Sequence, residues 1–95
     1  MAPAEIHEDR SKLSDTTLNL HRALQSLVEE LEAVDWYQQR VDVCKDEELK
    51  AILEHNRDEE KEHAAMLVEW LRRNDKAFAD ELKDWLFTEK SLKHD

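Results

Sequence analysis

The chain contains no glycine, and its single proline is Pro3. Glycine and proline supply the tight turns of most folds, one by reaching left-handed backbone and the other by fixing φ. A chain of 95 residues that lacks both after its third residue has few turns and long regular segments, which means helices. Charged and hydrophobic residues each make up 40% of it, the mixture of amphipathic helices.

A helical hairpin of this length cannot enclose a core. Each helix buries one stripe and the pair leaves one side open, so units of this kind depend on metal, disulfides or oligomerisation. Cys44 is the only cysteine, which rules out an intrachain disulfide and suits a reducing compartment. Metal and self-association remain.

The formal net charge of -10 argues against nucleic acid as a partner, because phosphate contacts need a basic patch. It is compatible with attracting metal cations, and equally with plain solubility. No apolar run is long enough to span a membrane. No signal-peptide pattern opens the sequence, so the expected location is the cytoplasm.

Residues 1–12 are polar and read as a flexible leader. Ser14 or Asp15 can cap a first helix running from about 14 to 42. Its apolar positions Leu20, Leu24, Leu27, Leu31, Val34, then Gln38, then Val41 alternate in steps of four and three, a heptad stripe. A second stripe lies beside it: Ala23, Leu27, Glu30, Val34, Tyr37, Val41. Residues 43–46 form a short connection, with Asp46 a good N-cap and Glu47 and Glu48 in the turn the helix dipole favours for acids. A short connection makes antiparallel neighbours. Helix two carries Leu49, Ile52, Leu53, Asn56, Glu60, His63, Leu67 and Trp70 and ends near Asn74. Phe78, Leu82, Trp85 and Leu86 mark a short third helix, and residues 88–95 read as a flexible tail.

The informative positions are polar residues where a stripe asks for apolar ones. Glu60 and His63 stand between Ile52/Leu53 and Leu67/Trp70, and Glu30 stands between Leu27 and Val34. Burying an ionised carboxylate is costly unless it is paired or binds a metal. Glu60 and His63, three apart, share a helix face, so a carboxylate oxygen and an imidazole nitrogen can reach one ion. In carboxylate-bridged di-iron bundles two helices each give a Glu and two others each give Glu-x-x-His. This chain has one helix of each kind, and two chains about a two-fold axis supply the full set. The motif alone is common in a charge-rich helix. Glu59, four residues before His63, can also stand in for Glu60. Tyr37 is placed to hydrogen-bond a ligand, although packing explains Trp36 and Tyr37 as well. Glu29 and Glu32 suit an outer metal site or approach route, or simply a solvated acidic face. Met66, Trp70 and Trp85 read as packing, and Cys44 as an inert loop thiol.

Two blocks, LVEELEAVDWYQQRVD at 27–42 and HNRDEEKEHAAM at 55–66, closely resemble the encapsulated ferritins, as does EWLRRN at 69–74. The resemblance covers roughly residues 20–88. It implies an all-α fold: an antiparallel two-helix hairpin plus a short C-terminal helix over 13–87, dimerising into a ferritin-like four-helix bundle. It implies a ferroxidase that oxidises Fe(II) with oxygen, with two irons held between two subunits by Glu30, Glu60 and His63 of each. Glu60 is thereby chosen over Glu59. Trp36 and Tyr37 match aromatics beside the centre, and Glu29 and Glu32 match acids on an iron approach route. Five such dimers are expected to form a decameric ring inside an encapsulin shell, which stores the mineral, in a bacterial or archaeal cytoplasm. A shell-targeting peptide is expected beyond the third helix, and only Ser91-Leu92-Lys93 is similar to one before the sequence ends at Asp95. The competing reading is a non-catalytic, metal-assembled helical oligomer. A rubrerythrin-type peroxidase is less well supported, because no paired-cysteine motif is present.

Overall fold

The computed structural model describes residues 6–93. Pro3, His94 and the outermost parts of the leader and tail lie outside the described residues. A 3-10 turn at Arg10–Lys12 precedes three α-helices: α1 (Asp15–Val43), α2 (Glu47–Asn74) and α3 (Lys76–Trp85). Among the described residues there is no strand, so the fold is all-α.

Each helix starts at a side chain that satisfies an otherwise unpaired backbone N–H, a contribution of about 1 kcal/mol per cap. Ser14 Oγ accepts from the Thr17 amide at 3.1 Å. Asp46 Oδ1 accepts from Leu49 at 2.9 Å, and Asp75 Oδ1 from Phe78 at 3.0 Å. Arg40 closes α1, and Arg72 and Arg73 close α2, where cations complement the dipole. The three residues 44–46 between α1 and α2 leave no room for anything but an antiparallel hairpin. Cys44 ends α1 half-buried, its thiol 3.6 Å from the carbonyl oxygen of Asp46.

The structure sorts the two candidate stripes of α1. Val41, common to both, and Ala23, from the stripe that also holds Glu30, are buried against α2, while Leu24 and Leu31 of the other are exposed. The sequence left the choice open because a heptad drifts by only about 20° against the true helical repeat. On α2 the covered positions are Ala64 and Leu71, the latter 1% exposed. Alanine at 23 and 64 lets the two backbones approach closely. α3 folds back on α2 alone.

The chain does not close into a globule. Its radius of gyration is 17.0 Å, against about 12 Å for a compact domain of this length. Leu24, Val28, Leu31, Leu49, Ile52 and Met66 are all exposed, so Met66 is not packed within the single chain. After α3 the backbone turns through Phe87 at φ 57°. That left-handed position after a helix end usually takes glycine, and this sequence has none to offer. The turn is held by Thr88 Oγ1 donating to the Trp85 carbonyl at 2.9 Å. Lys90 adds to it, pairing with Asp84 at 2.9 Å and standing 4.5 Å over the Trp85 ring.

Candidate metal centre

Halfway along the hairpin the covered stripe is interrupted by three polar side chains. Glu30 comes from α1; Glu60 and His63, one turn apart on α2, come from across the interface. His63 Nδ1 lies 3.3 Å from Glu30 Oε2 and 3.8 Å from Glu60 Oε2. One ligand atom from each of the three residues falls within 4.8 Å of the others. The Glu30 and Glu60 side chains are 24% and 23% exposed, and the His63 ring is 46% exposed.

The electrostatics are uncompensated. The Glu60 carboxyl is pushed above the usual carboxylate range, first by its hydrogen bond to Glu30, then by burial and by the Glu30 charge, with His63 opposing. Among the described residues no lysine or arginine forms an ion pair with Glu30 or Glu60. Two carboxylates held beside an imidazole have the donor types of a cation site. Carboxylate oxygen with imidazole nitrogen and no thiolate suits iron or manganese better than structural zinc. Three donors from one chain leave further coordination positions open. On the open side, a cleft of about 450 Å³ runs past Ser26, Glu30, His63, Met66, Leu67 and Trp70.

A second trio includes the same imidazole: Glu59, Glu62 and His63, more exposed than the first. The two glutamates that could have paired with His63 thus divide between faces, Glu60 inward with Glu30 and Glu59 outward with Glu62. Glu59 is also 3.4 Å from His55 Nε2. Glu62 carried no sequence signal of its own.

Glu29 and Glu32 are exposed and stand apart from the trio. Within the single chain, Trp36 and Tyr37 make no hydrogen bond to it. Trp36 is exposed, and half-buried Tyr37 has the Arg40 guanidinium 5.2 Å over its ring. Sequence reasoning also missed a polar contact between the helices. Arg57 Nη1 donates to Gln38 Oε1 at 3.1 Å. The available signal was Gln38 itself, a polar residue at a heptad position.

Comparison with known proteins adds to this geometry. A family model described as EncFtn-like matches residues 5–89. The chain is 64% identical over 83 residues to the encapsulated ferritin-like protein of Rhodospirillum rubrum, an alignment covering 87% of this chain and 59% of that protein. It is 54% identical over 88 residues to a ferritin-like protein of Thermotoga maritima, covering 93% of this chain and 77% of the relative. With the encapsulin nanocompartment cargo protein EncC of Myxococcus xanthus the identity is 39% over 74 residues, covering 77% of this chain and 55% of the relative. The chain therefore spans well under two thirds of the R. rubrum and M. xanthus proteins. Among solved structures, protein ne0167 of Nitrosomonas europaea superposes with a TM-score of 0.89 at 66% identity, covering 94% of this chain and 98% of that one.

Proposed function

The chain belongs to the EncFtn-like family, and from that premise we propose that it is a ferroxidase whose site is completed by a second copy of itself. Fe(II) is the substrate. Two copies about a two-fold axis bring together two Glu30, two Glu60 and two His63, enough for two irons per pair of chains. The observation that carries the reading is the convergence of Glu30, Glu60 and His63 across the hairpin, with no lysine or arginine among the described residues paired to the two carboxylates.

In this reading each residue has a defined task. The carboxylates neutralise and bridge the ions, and His63 gives each a nitrogen donor. Each Fe(II) surrenders one electron to dioxygen, and the ferric product leaves for storage. Glu29 and Glu32 line the approach, while Trp36 and Tyr37 stand near the centre once the second copy is in place. The pairs assemble further into a ring of ten chains. Two relatives are named as encapsulated or as encapsulin cargo, which supports an encapsulin shell as partner and its interior, in a prokaryotic cytoplasm, as the location. No helix among the described residues is long and apolar enough to cross a membrane. The stretches 1–12 and 88–95 serve as a leader and a tail flanking the helical domain.

Aerobic Fe(II) oxidation, followed by ferric absorbance and oxygen consumption, tests the proposal. The parent is expected to turn over rapidly, and His63→Ala and Glu30→Ala to fall to the rate of iron in buffer. Variants as fast as the parent would refute it. A second reading, a metal-assembled oligomer without catalysis, draws on the exposed Leu24, Val28, Leu31 and Ile52. It predicts metal-dependent assembly with no oxygen uptake.

A further inference from the structure

We propose that Arg57 and Gln38 are positioning residues: their hydrogen bond fixes the rotation of α2 against α1 and so aims Glu60 and His63 at Glu30. The inference rests on reading the trio as a cation site.

The connection at 44–46 limits how far α2 can slide along α1, but it does not fix rotation about the helix axis. Apolar packing is non-directional, and α2 offers two apolar choices. Ala64 and Leu71 are now buried, while Ile52 and Met66, a fraction of a turn around the same helix, remain exposed. The distinction matters to a ligand atom. At about 5 Å from the helix axis it moves nearly 2 Å in a rotation of about 20°, and binding sites tolerate only about 0.5 Å.

A polar contact supplies the missing direction. The Arg57 guanidinium is held at two edges, by Gln38 Oε1 at 3.1 Å through Nη1 and by Asp58 Oδ1 at 3.0 Å through Nε. Its side chain is only 17% exposed, the most covered of the cations that form ion pairs here. Arg57, Glu60 and Ala64 follow at i, i+3 and i+7 on one face of α2. Glu30, Val34 and Gln38 lie along one i+4 ridge of α1. The bond therefore ties the ridge that carries Glu30 to the face that carries Glu60, about 12 Å along α1 from Glu30. A single polar residue at a heptad position fixes packing geometry in coiled coils by the same logic.

The test is titration of the metal-free protein with Co(II), read by its visible absorbance, beside thermal melts taken before metal is added. The variants are Gln38→Leu and Gln38→Glu. Gln38 is exposed and substitutions at exposed positions usually move stability little, so Gln38→Leu is expected to melt close to the parent yet bind Co(II) about tenfold or more weakly, the size of effect that supporting residues have on metal sites. Gln38→Glu keeps an acceptor for Arg57 and is expected to retain parental affinity. Parental affinity in Gln38→Leu overturns the proposal. So does equal loss in both variants, or a loss that tracks a fall in melting temperature. A parent that fails to bind Co(II) at the trio sinks the cation-site reading and this inference with it, a result distinct from unchanged affinity in Gln38→Leu.

Discussion

Two acidic clusters on α2, about two turns apart, show opposite solutions to the same problem. Near its C-terminal end Glu69 is clamped by Arg72 at 2.7 Å through two contacts and by Arg73 at 2.7 Å. The two guanidiniums hold its carboxyl down at about 2. At mid-helix Glu60 faces another carboxylate and an imidazole, and its affinity for a proton goes up. The first cluster carries its own counter-charge. The second does not, although it is the more covered of the two. A helix that supplies arginines at i+3 and i+4 for an exposed glutamate supplies none for the more covered one, which is left without a counter-charge from its own helix.

Converting one cluster into the other is the strongest way to break the contrast. Glu60→Lys gives Glu30 an internal cation, as Arg72 gives one to Glu69. The metal-free variant is expected to melt above the parent, while Co(II) or Fe(II) affinity drops by about 100-fold or more. Isothermal titration and melting curves check both halves, and a variant that still binds metal like the parent would remove the basis of the comparison.

Metal withdrawal is the next largest effect. At a hundredfold excess of metal over its Kd, linkage contributes about 2.7 kcal/mol to the parent. Chelation is expected to remove that stabilisation from the parent and to leave Glu60→Lys unmoved, as seen in paired thermal melts.

The pH dependence sharpens the difference further, because the shifts have opposite sign. In metal-free protein the contribution of Glu60, whose folded pKa is raised, is fully present below about 4.5 and is lost as pH rises through the raised value. The contribution of Glu69 is present above about 4.5 and is lost as pH falls towards about 2. Denaturant titrations across that range should find Glu60→Gln matching the parent below about 4.5 and departing from it as pH rises, while Glu69→Gln lies below the parent above about 4.5 and converges with it as pH falls towards about 2. The smallest effect is Glu69→Gln at neutral pH: exposed ion pairs add little, so its melting temperature should fall only slightly and its iron oxidation should match the parent.

Much of this was legible in the sequence, for identifiable reasons. Ser14 and Asp46 announce the helix starts because capping chemistry is local, and α1 and α2 begin within a residue of where those caps put them. Glu30, Glu60 and His63 stand out because each violates a stripe. What periodicity could not supply was rotation. The two stripes on α1 share Leu27, Val34 and Val41, and only the packed hairpin shows that Ala23 is buried while Leu24 and Leu31 stay exposed. Ala64 went unnoticed because a small residue leaves no hydrophobic signal, though close approach of the helices depends on it.

His63 belongs to both acidic trios, and that shared membership has a logical form. A neutral imidazole has one lone pair and one N–H. It can ligate an ion inward, with Glu30 and Glu60, or outward, with Glu59 and Glu62, but not both at once. In the proposed cation-site reading, occupancy of the two trios by the same ring would be mutually exclusive: an ion held by His63 with Glu59 and Glu62 would, for that interval, be kept from Glu30 and Glu60.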